Sequence, residues 1–565
     1  MRCHAGNAIG GLTLTILSLA VAGCGHKWWV SQADKSAYGA VDTAQKRALG
    51  EKKDFDIAYD PYTQDKGGQI ALDGKAAGPA QPKPRQLTVD ESLQIAFRNS
   101  RNLQTRKEQL YVDALGVASS RRSWDYPLLA GSIDGSASET RIGEGSTTEA
   151  GALGIGPTLT QRLMTGGVVV AAASLDLATD FLGTKGTPIG SLLNLNVTQP
   201  LLRGAWNGVA YEPQYRLERN LLINVFSYAR FRQTFAASIV QQYYSVLQRR
   251  DQAENEIENI SRLENTVAVT RVLVEGGQVS RIQLDQAEQN LLNAQVRYQQ
   301  LRQSYQDALD AFKVTLGLPA LTNVELDYPG ALEALVKTGT PAVGLKEEDA
   351  IAVALAARPD VAVQRAAYRD AQRDVTLAAD NFLPQLDVEV DLSATGTEPR
   401  KFQRIQWNRR TMVNSMTLHY DIDQVPNRDV YRVAVIAMDQ AQRSLAEFED
   451  QVRVQVRGAY RALLQNKRSY DLQVRNVEIA RRRRTLAALQ QREGQASARD
   501  VLEAEDALRS AQDGLTSALV SYTTTRLNFL AGLGLLSVDE KGQIHERKEP
   551  FRFDLLRQRY DYLGQ

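Results

Sequence analysis

Few residues in this chain are of types that do chemistry, and their spacing limits what that chemistry can be. The histidines His4, His26, His419 and His545 are scattered without metal-ligand spacing, and no nucleophile stands with a plausible base. The glycines of GEG (143–145) and GIGPTL (154–159) fall in strand-like segments, without the strand–turn–helix setting that a phosphate loop needs. Charge and one cysteine remain. Asp500 and Glu503, in ARDVLEAE, stand three residues apart, which puts both carboxylates on one face of a helix. Arg481–Arg484 on a helix point all round, so they read mostly as a solvated outer face, with a docking patch as the alternative. Cys24 follows Val-Ala-Gly, and Cys3 lies ahead of it. Nothing here supports an enzyme, and neither a metal nor a cofactor is expected.

The N-terminus gives a stronger signal. Arg2 and His4 precede a short apolar run, Leu12–Ala22, and then Gly23-Cys24. The run is too short for the ~20 residues of a spanning helix and has the form of a secretory signal over residues 1–23. Val-Ala-Gly-Cys also resembles a bacterial lipobox, in which Cys24 would be diacylated and become the mature N-terminus; an ordinary signal peptide is the alternative. Gly25 after the cysteine, in place of Asp, favours sorting to the outer membrane. Beyond the signal no apolar stretch reaches 18 residues, so passage through a membrane falls to β-strands or to the lipid alone. Lys+Arg (67) and Asp+Glu (66) nearly cancel, which leaves no field for nucleic acid. Residues 24–85, rich in Gly, Pro and Lys, read as a lipid-anchored tether with little core of its own. Trp28 and Trp29 would sit either at the lipid headgroups or against the protein.

The elements that hold Asp500 and Glu503 are written twice. With Gly277 set on Gly494, EGGQVSRIQLDQAEQNLLNAQ (275–295) aligns without a gap with REGQASARDVLEAEDALRSAQ (492–512). At that same offset Leu316-Gly317-Leu318 falls on Leu533-Gly534-Leu535. Proline is absent from Gln214 to Leu318 and from Asn427 to Glu549. Both windows carry apolar residues at three-and-four spacing, among them Leu221, Val225, Tyr243 and Val267 in the first and Leu445, Val452, Tyr470, Val474 and Val477 in the second. From Leu217 to Glu275 such a helix would run roughly 90 Å at about 1.5 Å per residue. Each window breaks once, at Gly276-Gly277 or at Gly494, with Ser280 or Ser497 placed to start the returning helix. Two long helical hairpins are therefore predicted, over 214–318 and 427–536, with these glycines at their tips.

Ahead of each window stands an amphipathic helix closed by proline (WDYPLL, 124–129; NFLPQL, 381–386), and after it the period changes to two. Alternation predicts strands near 129–140, 152–163, 168–178 and 192–202 in the first half, and over about 386–422 in the second. The expected organisation is repeat 1 over 86–318 with strands about 129–202, a linker at 319–344, repeat 2 over 345–536, and a tail at 537–565.

In the order and double occurrence of these features the chain resembles the TolC-type outer-membrane efflux channels. LTVDESL and LKEEDAI, NFLPQLDV, LNVTQPLLRG, the paired glycine tips and the paired LGL ends carry the resemblance, which spans roughly residues 86–537. It implies a mainly α fold with a transmembrane β part: a trimeric β-barrel in the outer membrane, continued by a long α-helical barrel across the periplasm and girdled by an equatorial belt. It implies a passive exit duct that works with a periplasmic adaptor and an inner-membrane pump. It also implies that Asp500 and Glu503 ring the periplasmic constriction as a gate for cations, while Gln283 and Gln286 stand at the equivalent places in the first repeat. The chain departs from the family's usual two strands per repeat, since 129–202 has room for four. The rival expectation is a periplasmic coiled-coil structural lipoprotein without a pore.

Overall fold

The computed structural model describes residues 26–50, 52, 54–59, 85–141, 147–180, 189–341, 344–396, 408, 410–493, 495–539 and 542–546. Cys24 and Gly494 lie outside this set. The fold is mainly helical. It begins with α1 (His26–Leu49) and β1 (Arg85–Leu87), followed by α2 (Val89–Asn99) and α3 (Arg101–Asp125). Strands β2 (Leu128–Arg141), β3 (Thr147–Arg162), β4 (Val168–Asp180) and β5 (Ile189–Pro200) come next, then the single turn α4 (Asn207–Ala210). The first hairpin is α5 (Glu212–Glu275) with α6 (Arg281–Thr315). After β6 (Val324–Leu326) and α7 (Tyr328–Thr338), the second half sets out α8 (Glu347–Ala357), α9 (Pro359–Asp380), β7 (Gln385–Gly396) and β8 (Arg410–His419). The second hairpin, α10 (Val425–Arg492) with α11 (Ala498–Gly532), is followed by β9 (Leu536–Val538) and β10 (Ile544–Glu546).

Helix starts follow local chemistry. Proline stands in the first turn of α5, α9 and α10, where its missing N–H costs nothing. Thr88 caps α2 through a capping box with Glu91. At 64 and 68 residues, α5 and α10 each extend roughly 100 Å.

The helices that return, α6 and α11, stop halfway. Gly317 and Gly534 each take a left-handed conformation (φ 79° and 74°) and pass against a backbone carbonyl. For Gly317 this is the carbonyl of Asn99, where α2 meets α3; for Gly534 it is that of Ala357, where α8 meets α9. A side chain at either glycine would displace backbone, which accounts for the paired LGL ends. From these joints α3 and α9 continue the path towards the strands.

The core sits at this level. Tyr243, Phe312, Leu87, Leu326, Leu533 and Phe529 are fully buried in one cluster drawn from both halves. Each such side chain contributes roughly 1.5–3 kcal/mol by burial. The Tyr243 hydroxyl donates to the Leu87 carbonyl (2.9 Å), so its polar tip is satisfied. The segment 319–344 holds β6 and α7, and β6 pairs in parallel with β1.

Beyond the helices lies one antiparallel sheet of order β2-β3-β4-β5-β7-β8. All four strands expected in the first half are present. QPLLRG and NFLPQL meet beneath the sheet: the Leu201 N–H donates to the Leu386 carbonyl (2.8 Å) and the Gly204 N–H to Asp380 Oδ2 (2.7 Å). Across the ladders Leu195, Leu392 and Met412 share a face, as do Val197, Val390, Val388 and Met416. The opposite face is polar. There Asn194 Nδ2 donates to Asp391 (3.0 Å), Asn196 donates to Glu389, and Ser415 donates to the same carboxylate.

Two expectations need correction. Residues 26–49 are a docked helix and not tether: Ala37, Val41, Ala44 and Ala48 bury against Leu110, Ala114, Leu221 and Val225. A narrow stripe of small residues was hidden in a polar composition. Trp28 and Trp29 pack on each other edge to face and are exposed. Asp34 accepts from Tyr111 (2.6 Å), while Arg47, near the far end of α1, meets Glu218 (3.3 Å). So α1 runs towards the sheet, and its tryptophans lie at the end away from it, roughly 30 Å below the strands at ~1.5 Å per residue. The apolar series on α10 is also not one stripe: Val452, Val456, Leu463 and Val477 are buried but Val474 is exposed. A straight helix drifts against a repeat closer to 3.5 residues per turn, so a long series wanders off one face.

Candidate functional site at the hairpin tips

Both tips lie together at the end remote from the sheet. In the first, α5 closes with the Gly276 N–H donating to Val272 (3.0 Å) and the Gln278 N–H to Leu273 (2.9 Å). Gly277 supplies the left-handed residue (φ 70°) of this Schellman-type ending. In the second, the Glu493 N–H donates to Leu489 (3.3 Å) and the Gln495 N–H to Gln490 (2.8 Å) on either side of Gly494.

The returning helices start differently. Ser497 forms a capping box with Asp500: Asp500 Oδ2 accepts from the Ser497 N–H (2.9 Å) and hydroxyl (2.7 Å), and Ser497 Oγ accepts from the Asp500 N–H (3.3 Å). The hydrogen bond from the Ser497 hydroxyl, then that from its backbone N–H, with Arg499 and Arg483 nearby, holds the Asp500 carboxyl below its usual range. Ser280 makes no such bond. Gln283, at the place of Asp500, instead reaches across and accepts from the Ala498 N–H (3.4 Å), tying one tip to the other. Asp500 and Glu503 are exposed on one face of α11, while Ala498, Val501 and Ala504 are buried behind them. Glu503 accepts from Arg483 (2.7 Å).

The arginine run is only partly the solvated face expected of it. Arg482 pairs with Glu478 on its own helix, but Arg484 reaches Glu505 (2.7 Å), whose side chain is 2% exposed. Arg262 of α5 meets the same carboxylate (2.6 Å). A second buried carboxylate, Glu256, lies further from the tips and faces Arg297 of α6 (3.3 Å) and Arg509 of α11 (3.5 Å). These clusters bind the two hairpins together behind the tips, and sequence reasoning missed them. By residue type nothing separates Glu505 from the exposed carboxylates Glu503 and Asp506 beside it. Its one signal was position: it follows buried Ala504, on the face opposite Glu503.

Among the described residues no helix is long and apolar enough to cross a membrane, and no group of His, Cys, Asp and Glu is placed to hold a metal. A sheet at one end of two helical hairpins, each with one helix of ~100 Å, can be compared with known proteins. Residues 350–535 match the family model described as outer membrane efflux protein. The fold is similar to the outer-membrane channel OprN (TM-score 0.60, 14% identity, covering 85% of this chain and 98% of that one). It is also similar to the CmeC outer membrane channel of Campylobacter jejuni (0.57, 16%, 84% and 92%). The open state of the MtrE outer membrane channel of Neisseria gonorrhoeae is a third (0.59, 16%, 79% and 88%). No curated protein matches in sequence. Residues 350–535 thus form an outer membrane efflux protein domain, and the chain has the fold of TolC-type outer-membrane channels.

Proposed function

We propose that this protein is the passive exit duct of a tripartite export system, closed as a homotrimer in the outer membrane and reaching across the periplasm to an adaptor and an inner-membrane pump. The observation that carries this reading is the six-stranded sheet at the far end of the hairpins from their tips, whose β5, β7 and β8 are apolar on one face and largely polar on the other. A sheet with open edges cannot stand in lipid, so copies of the same chain must close it. Val433, Leu472, Ile479 and Leu486 leave an exposed apolar seam along α10, which suits a neighbouring copy.

In the trimer Asp500 and Glu503 would ring the mouth, six carboxylates around one bore. Together they would draw and hold cations, and the Ser497 contacts keep Asp500 ionised down to low pH. Replacing both with Ala should raise conductance several-fold in planar bilayers and abolish cation preference; unchanged conductance with unchanged cation block would remove the gate from this reading. A lipid on Cys24 would add an anchor. Only Gly25 separates that cysteine from α1, so seating the lipid in the outer membrane would draw the first turns of α1 off the body. The scaffold alternative has no use for a two-faced sheet, and failure to find heat-resistant trimers in outer-membrane fractions would favour it. Crosslinking from the tips to co-purified proteins tests the adaptor.

A further inference from the structure

The first half contributes four strands to the sheet and the second half two. The surplus pair is β3–β4, and its position is set by the helices. In the layer below the sheet, α3 packs on α5, α5 on α9, and α9 on α10. Helix α3 leads into β2 and β5 leads towards α5; α9 leads into β7 and β8 into α10. Strand order thus follows helix order, with β3 and β4 standing between the strand above α3 and the strand above α5.

Their connection, Leu163–Gly167, is fixed at the helix side. Gln161 Nε2 donates to the Trp124 carbonyl at the end of α3 (2.6 Å), and the Trp206 N–H donates to Thr165 just before α5 (3.0 Å). The Thr165 hydroxyl donates to Gln199 Oε1 (2.8 Å). The pair is therefore an integral part of the sheet, tied down at its helix-side turn. Its ladders run side by side with the others, and Leu159, Val169, Ala171 and Ala173 continue the apolar face of Leu193, Leu195 and Val197.

Width supports the same placement. Six strands about 4.8 Å apart and tilted about 40° span an arc of roughly 38 Å, whereas four would span roughly 25 Å. Four helices at about 8–10 Å between axes span roughly 32–40 Å. Six strands are thus wide enough to span the helical layer of one chain.

We infer that all six strands enter the wall, so that three copies close an eighteen-stranded barrel as wide as the tunnel below it. This rests on the trimeric channel reading. β8 runs towards the helices and β2 away from them, so β8 of one copy and β2 of the next meet antiparallel, as an all-antiparallel closure needs. Backbone walls would stand roughly 36 Å apart, against roughly 24 Å for twelve strands of the same tilt. The barrel would then impose no waist, and solute size would be decided at the tips alone.

Electron cryo-microscopy of the full-length protein in nanodiscs counts the strands. Eighteen is expected. A twelve-stranded trimer with β3–β4 outside the wall overturns this inference and leaves the channel reading standing; the absence of any trimeric pore overturns both. A second measurement compares nitroxides at Ala173→Cys and Ala172→Cys. The first should be relaxed mainly by oxygen from the lipid phase and the second mainly by a water-soluble paramagnet. Equal access of the water-soluble reagent to both sites would place β3–β4 outside the bilayer and overturn the inference.

Discussion

The two hairpins share their turn and their ending, but not their surroundings. Helix α5 runs through the middle of the chain, against α3, α6, α9 and α11, and buries residues on several faces, among them Phe226, Phe235, Tyr243 and Glu256. Helix α10 lies at an edge against α8, α9 and α11, and its Leu472, Ile479 and Leu486 recur every seven residues on an exposed face. The same spacing of apolar residues thus serves two purposes. On α5 it makes the core of one chain, and on α10 it leaves a seam of the kind that coiled helices close between copies.

The comparison is broken most severely at Glu256, the carboxylate that the first hairpin buries completely. Glu256→Ala removes the buried anion between Arg297 and Arg509, which keep only the peripheral Asp506 and Asp513, and should cost about 3 kcal/mol, the low end for breaking a buried pair. Glu503→Ala, on the open face of the second hairpin, should cost no more than about 0.5 kcal/mol. Urea unfolding of the trimer in detergent, followed by helical circular dichroism, measures both. Equal losses would mean that the hairpins are less different than their burial suggests.

Next come the glycines that the hairpins share. Gly534→Ala must push the Ala357 backbone aside, because its Cβ would lie 2.7 Å from that carbonyl oxygen, and about 3 kcal/mol is expected. Gly277→Ala meets no atom within 4 Å and pays only for its left-handed backbone, about 1 kcal/mol. The same unfolding measurement ranks them. A larger loss at Gly277 would show that the tip, and not the halfway joint, is where the structure is tight.

These pairs also mark what the sequence could reveal. Gly277, Gly317 and Gly534 were legible because glycine at a helix end has few other uses, and strand positions were legible because a two-faced sheet alternates. The docking of α1 was not, since its contact stripe is alanine and valine set among polar residues. Nor were the partners of Glu256 and Glu505. A buried carboxylate looks like any other until two further helices, tens to hundreds of residues away, bring arginines to it. The charges of Asp500 and Glu503 could be read directly, but not the cap that one of them makes.

That cap gives the smallest and sharpest contrast. Ser497→Ala removes a hydroxyl that both accepts from the Asp500 N–H and donates to its carboxylate, and about 1 kcal/mol of helix stability should go with it. Ser280→Ala removes a hydroxyl with no capping bond and should cost a few tenths at most. The same substitution tests the charge at the mouth. Asp500 is held below its ordinary value of 3.8, so the stability it lends the cap is fully present above that value and is lost only as pH falls through the lower folded one. Ser497→Ala removes the chief cause of the depression and should move that loss upward, towards the ordinary range. In a Glu503→Gln background, which leaves Asp500 as the carboxylate of the proposed pair, cation preference read from reversal potentials should fade at a higher pH in Ser497→Ala than in the parent. A pH profile that does not move would separate Asp500 from the gate and leave it as a helix cap alone.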